Sequence, residues 1–131
     1  MANDPIPESV EEFVSENIDS VAELEALMLL FRDPAALWSA ASLAERLYAT
    51  EEQADAAIAK LCHLGLAAAS AKRRAAFHFR PSSPELEELV VQISETYSKY
   101  LVPVTNLIHS KPQSKVQQFA DAFKLRKRKD E

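Results

Sequence analysis

The sequence predicts a mainly α-helical fold with one small β-hairpin. Three observations predict it. The 131 residues contain one glycine, whereas an all-β fold needs many tight turns with φ > 0. Three capping-box patterns mark helix starts, in each of which a Ser or Thr is followed three residues later by Glu or Gln. They pair Ser20 with Glu23, Ser42 with Glu45 and Thr50 with Gln53. Finally, Phe77 and Phe79 fall on one face of an extended segment while His78 and Arg80 fall on the other, the period of two expected of a half-buried strand.

The elements follow in order. Residues 1–8 are polar with two prolines and are expected to form a flexible N-terminal arm. From Glu8, the apolar residues Val10, Phe13, Val14 and Ile18 recur at helical spacing. Ser20 and Glu23 open a run of Leu24, Leu27, Met28, Leu30 and Phe31, apolar enough for a central buried helix. Pro34 stops it, because proline disfavours the helical state of the residue before it. Ser42 and Glu45 are expected to open a short helix ending at Leu47 or Tyr48. Thr50 and Gln53 open one that runs to Leu64 and closes at Gly65, which suits the left-handed position after a helix.

Residues 66–70, a turn carrying Lys72, Arg73 and Arg74, and residues 75–80 then read as a hairpin. Ser83 followed by Pro84 is an N-cap with proline at the first helical position. That helix continues through Leu86, Leu89, Val90, Ile93, Tyr97 and Tyr100 until Pro103 kinks or ends it. A last helix carries the stripe Val116, Phe119, Ala120 and Phe123, and leads into the basic tail Lys124, Arg126, Lys127, Arg128 and Lys129. The expected core comprises Leu24, Leu27, Met28, Phe31, Leu43, Leu47, Ile58, Leu61, Phe77, Phe79, Leu86 and Leu89, with Trp38 anchoring the segment before the short helix. The expected organisation is thus an arm over 1–8, one domain over 9–102, and a helical extension with a basic tail over 103–131.

Composition narrows the function. A single glycine excludes a Gly-rich phosphate loop, and a single cysteine excludes a disulfide framework or a multi-cysteine metal site. No apolar run approaches the roughly 20 residues of a membrane span, and the acidic start has no apolar signal core, so a cytoplasmic protein without membrane insertion is expected. The net charge of −5 conceals an asymmetry. Residues 1–66 hold 13 acidic and 3 basic side chains, and residues 67–131 hold 7 acidic and 12 basic. The second half is where a polyanion could dock.

Short helix, turn, helix closed by glycine, then a hairpin with a basic tip: over residues 21–80 this order resembles the winged helix-turn-helix superfamily of small bacterial transcription regulators. Ser42, Leu43, Ala44 and Leu47 match the first helix of the motif. Thr50 caps the second, Ala54, Ile58, Leu61, Leu64, Gly65 and Leu66 form its buried ridge and exit, and Phe77 and Phe79 match the returning wing strand. The resemblance implies a DNA-binding fold with additional C-terminal helices, in which the second helix of the motif enters the major groove and the wing touches backbone or minor groove.

At 100° per residue, the helix face opposite Ala54, Ile58 and Leu61 carries Glu52, Gln53, Ala56, Ala59, Lys60 and His63. Gln53 could read adenine, Ala56 permits close approach, and Lys60 and His63 could meet phosphates. Glu51, Glu52 and Asp55 at the leading end are unusual for a DNA reader. In the wing, Lys72, Arg73, Arg74 and Arg80 form a compact cationic point suited to phosphates or a narrow minor groove. Tyr97 and Tyr100 could line a homodimer seam or belong to the core. Phe119 and Phe123 could pack back on the domain, pair with their copies or enter a partner's groove.

Catalytic and metal chemistry find no support. His63, His78 and His109 are scattered, Cys62 flanks the buried ridge, and the carboxylate pairs Glu51/Glu52 and Glu87/Glu88 fall on exposed faces. No cofactor or enzymatic activity is expected. The expected function is a dimeric regulator binding double-stranded DNA. The alternative is a non-catalytic winged-helix module that engages a protein through its acidic helix face and amphipathic C-terminal helix.

Overall fold

The computed structural model describes residues 6–109. In chain order it contains α1 (Glu8–Asn17), α2 (Val21–Arg32), α3 (Ala40–Leu47), α4 (Glu51–His63), β1 (Ala67–Ala69), β2 (Phe77–Phe79), α5 (Pro84–Lys99) and α6 (Leu101–His109). The described chain is therefore mainly helical with a small two-stranded antiparallel sheet. Of the arm expected over 1–8, Ile6 is buried and Glu8 already opens α1.

Local chemistry explains most helix boundaries. Thr50 caps α4 by accepting from the Gln53 amide, and the Gln53 side chain reciprocates at the Thr50 amide, each at 3.0 Å. The far end of α4 is a Schellman closure: the Leu66 amide reaches the Leu61 carbonyl and the Gly65 amide reaches that of Cys62. Gly65 sits at φ +79°, and a Cβ there would lie 2.6 Å from Ser82 Oγ. Ser83 caps α5 through the Leu86 amide, with Pro84 next. At α2 the box is displaced: Ser20 accepts from the Glu23 amide, but the Glu23 carboxylate reaches back to the Asp19 amide.

Two expected boundaries are corrected. The short helix starts at Ala40 rather than after Ser42. Its cap is Ser39, which accepts from the Ser42 amide, while Ser42 Oγ accepts from the Ser39 amide at 2.9 Å. A serine can thus fill the third position of the box that Glu or Gln usually takes. The second correction lies near Pro103. The long helix ends at Lys99, with Tyr100 between α5 and α6. A proline ring collides with the carbonyl four residues upstream, here that of Lys99, so the break precedes Pro103 and leaves it in the first turn of α6.

The hairpin pairs Ala67 with Phe79, Ala68 with His78 and Ala69 with Phe77. Phe77 also exchanges two backbone hydrogen bonds, both 2.8 Å, with Trp38, so the segment before α3 forms a one-residue third strand. Against this sheet pack α2, on β2, and α4, on β1, and α3 packs on both of these helices. The Phe79 ring meets the edge of Phe31 at 5.6 Å, and the Arg46 guanidinium lies 5.6 Å from the Trp38 ring, a cation–π arrangement.

Most of the expected core is confirmed. Leu24, Leu27, Met28, Trp38, Leu43, Ile58, Leu61 and Phe79 are buried, while Phe31, Leu47, Phe77, Leu86 and Leu89 pack against them half-buried. The core is larger than expected. Val10, Val14 and Ile18 of the first segment join Val90, Ile93, Tyr97, Val104 and Ile108 where α1, α5 and α6 meet. Val104 and Ile108, expected in an extension, thus belong to the same apolar cluster as the buried residues of α2, α3 and α4.

Candidate functional site

The α4 face expected to meet a partner is outward-facing. Glu51, Glu52, Gln53, Asp55, Ala56, Ala59 and His63 are exposed, and Ala54, Ala57, Ile58 and Leu61 are buried behind them. The carboxylates at its start have a local role, because negative charge near a helix N-terminus favours the macrodipole by about 0.3–1 kcal/mol each. They also give the leading end of α4 a negative field that opposes an approaching phosphate.

The Lys60 ammonium is engaged within the fold. It donates to the Asn17 carbonyl at 2.9 Å and to the Asp19 carboxylate at 2.8 Å, with Glu23 at 3.6 Å. Burial alone would lower its pKa, but the Asp19 hydrogen bond and the charges of Glu23 and Asp19 outweigh it and raise the value. Lys60 therefore ties α4 to the link between α1 and α2. Sequence spacing put it on the outer face, but the acidic link folded over that flank was not visible in a helical wheel. Gln53 is also partly committed. Its Oε1 accepts the Thr50 amide, so the paired donor and acceptor needed for adenine are not both free while the cap holds.

The hairpin end differs. Lys72, Arg73 and Arg74 are exposed, as is Arg80. Ser70 organises the turn: its Oγ accepts the amides of Lys72 and Arg73 at 3.0 and 3.2 Å, and its own amide donates to the Ala76 carbonyl at 2.7 Å. Ala75 takes φ +58° to close the turn. The strands bring Lys72, His78 and Arg80 to the wall of one groove. His78 was absent from the expected wing contacts, although its alternation with Phe77 and Phe79 was the signal for its face.

Tyr97, one of the two expected seam residues, is buried. It is 5% exposed, and its hydroxyl donates to the Glu25 carboxylate at 2.5 Å, linking α5 to α2. Burial, then the Glu25 hydrogen bond and charge, push its phenol up to about 12. Tyr100 is exposed and adjoins exposed Leu101 and Val102. Phe119, Phe123 and the basic tail lie outside the described residues.

One exposed residue had no sequence signal. Tyr48 ends α3 at φ 56° and is 96% exposed. Left-handed backbone costs a non-glycine residue roughly 1–2 kcal/mol, so an aromatic side chain is held out at the turn between α3 and α4. Cys62 is half-buried, and burial pushes its thiol upward, away from a reactive thiolate. Among the described residues, no three His, Cys, Asp or Glu side chains are placed to hold a metal, and no helix is long and apolar enough to cross a membrane. Compared with known protein families, curated proteins and solved structures, the chain matches none of them.

Proposed function

We propose that the chain is a winged-helix DNA-binding regulator that grips the duplex chiefly through its hairpin. The observation that carries this reading is the exposure of Lys72, Arg73, Arg74 and Arg80 on a hairpin directly following α4. The topology supports it: the one-residue Trp38 strand, α3, α4, β1 and β2 follow one another in the order of a winged helix. The cationic hairpin supplies the phosphate attraction that dominates affinity. On α4, Ala56 and His63 remain exposed for close approach, with the Gln53 carboxamide nitrogen as a donor. Base reading by α4 is narrow, because its leading end is acidic and Lys60 is engaged elsewhere.

A homodimer belongs to this proposal, with Tyr100, Leu101 and Val102 as the exposed apolar residues nearest the former seam. The test is selection of genomic DNA fragments by the full chain at near-physiological salt, read by sequencing. Enrichment of one inverted-repeat motif is expected of a two-fold regulator. A flat profile from folded protein overturns the reading.

A second reading is favoured by a separate observation, the three exposed carboxylates Glu51, Glu52 and Asp55 on α4. They suit a basic protein surface better than a phosphate backbone. In that case the chain is a non-catalytic interaction module, and reversal of these charges abolishes partner binding while truncation of the hairpin cations does not.

A further inference from the structure

We propose that the hairpin groove is a binding site for an organic anion, a carboxylate or phosphate head on an apolar body, and that this ligand competes with DNA for Lys72 and Arg80. The groove has a volume of about 410 Å³, far more than a bare phosphate needs and within the range of small-molecule sites. Two cations line it, Lys72 and Arg80, with the His78 imidazole beside them, and among the described residues no carboxylate does. An anion there meets attraction without an opposing charge in the wall.

Ser70 adds a directed donor. Its Oγ already accepts two backbone amides, those of Lys72 and Arg73, so its hydroxyl hydrogen remains for a bound head group. His78 Nδ1 faces the Phe79 carbonyl at 3.2 Å. Pro34 and Leu37, from the segment between α2 and α3, add apolar lining to the groove. A hydrophobic body fits that lining, and a hydrated inorganic ion does not use it.

The site is not the hairpin tip. Arg73 and Arg74 are exposed cations of the same turn but are not among the groove's lining residues. This separates a built groove from diffuse attraction to a basic loop. Lys72 and Arg80 belong both to the groove and to the proposed DNA contact, so a ligand that occupies them withdraws two charges from the phosphate backbone. The competition rests on the DNA-binding reading above; the groove does not.

The test is titration of the full chain with phenyl phosphate at constant ionic strength, followed by calorimetry and by the backbone amide signals. Inorganic phosphate and phenol serve as the head-only and body-only probes. Phenyl phosphate is expected to bind at least tenfold more tightly than either and to shift the amides of Ser70, Lys72, His78 and Arg80. Arg80→Ala should weaken it at least tenfold and Arg74→Ala less than twofold. Lys72→Ala provides a second groove variant, with the melting temperature checking that each remains folded. Equal affinity for phenyl phosphate and inorganic phosphate, or equal losses from Arg80→Ala and Arg74→Ala, overturns the site. In a second arm, saturating phenyl phosphate should lower duplex affinity severalfold. Groove binding with unchanged duplex affinity overturns the competition. If no duplex binds at any salt concentration, the DNA reading fails, and the first arm alone decides the groove.

Discussion

The Lys60 ammonium ties α4 to the link between α1 and α2, and the Tyr97 hydroxyl ties α5 to α2. Removing the Lys60 ammonium leaves the Asn17 carbonyl and the Asp19 carboxylate without that donor. The group is partly exposed, so solvent screens the loss. Lys60→Ala should lower stability in urea by about 1 kcal/mol and leave the salt dependence of DNA binding unchanged. A shallower salt slope in that variant would return Lys60 to the DNA contact. Tyr97 makes a separate pH prediction. Its folded phenol ionises near 12, above the ordinary value of about 10. The stabilising contribution of the neutral phenol is therefore complete below pH 10 and is lost as pH rises from 10 towards 12. Ultraviolet titration should show one tyrosine ionising near 12, and Tyr97→Phe should remove that transition. Its persistence in the variant would show that another tyrosine carries it.

At the scale of elements, caps make the sharpest distinctions. Ser39 and Ser42 form the box at α3, whereas Glu45 is exposed and takes no part in it. Ser39→Ala should cost about 1 kcal/mol and Glu45→Ala less than about 0.5 kcal/mol, both by urea denaturation. Equal costs would restore the box expected from Ser42 and Glu45. At the other end of the motif, Gly65→Ala puts a Cβ 2.6 Å from Ser82 Oγ at a backbone φ of +79°. It should lower stability by about 2 kcal/mol, and a neutral effect would mean that the closure rearranges freely.

The elements most legible in the sequence were those with two agreeing local signals. α4 had a capping box at one end and the single glycine at the other, and α5 had Ser83 with Pro84. The start of α3 was misplaced because Ser39 and Ser42 lack the acidic residue that makes such boxes conspicuous. The end of α5 was misplaced because the effect of proline reaches four residues back. The Trp38 strand had no local signal, since one residue has no period and its pairing with Phe77 spans 39 positions.

For the whole molecule, the charge asymmetry of the sequence becomes a spatial one only in part. The cations of the hairpin stay exposed, and Lys60, the sole cation of α4, closes an internal bridge. The hairpin was legible because a basic turn between two short strands is local. The α4 face was legible in its orientation but not in its availability, because the groups that occupy Lys60, the Asn17 carbonyl and the Asp19 and Glu23 carboxylates, come from 37 to 43 residues away. The contribution of α1, α5 and α6 to the core was underestimated for the same reason: their apolar faces are periodic, but nothing local says that they meet. The buried Nε1 of Trp38, which finds no hydrogen-bond acceptor among the described residues, is a cost that composition does not reveal.

In the proposed DNA complex, the hairpin cations rather than α4 supply the phosphate contacts. The measurement that tests it most directly is duplex affinity over a series of salt concentrations, for the full chain and for its Lys72→Ala, Arg73→Ala, Arg74→Ala triple variant. Each phosphate contact contributes about 0.9 to the slope of log affinity against log salt. The triple variant should bind more weakly, with a slope shallower by about 2 to 3. Parallel lines for the two proteins would contradict it and leave the hairpin outside the DNA contact.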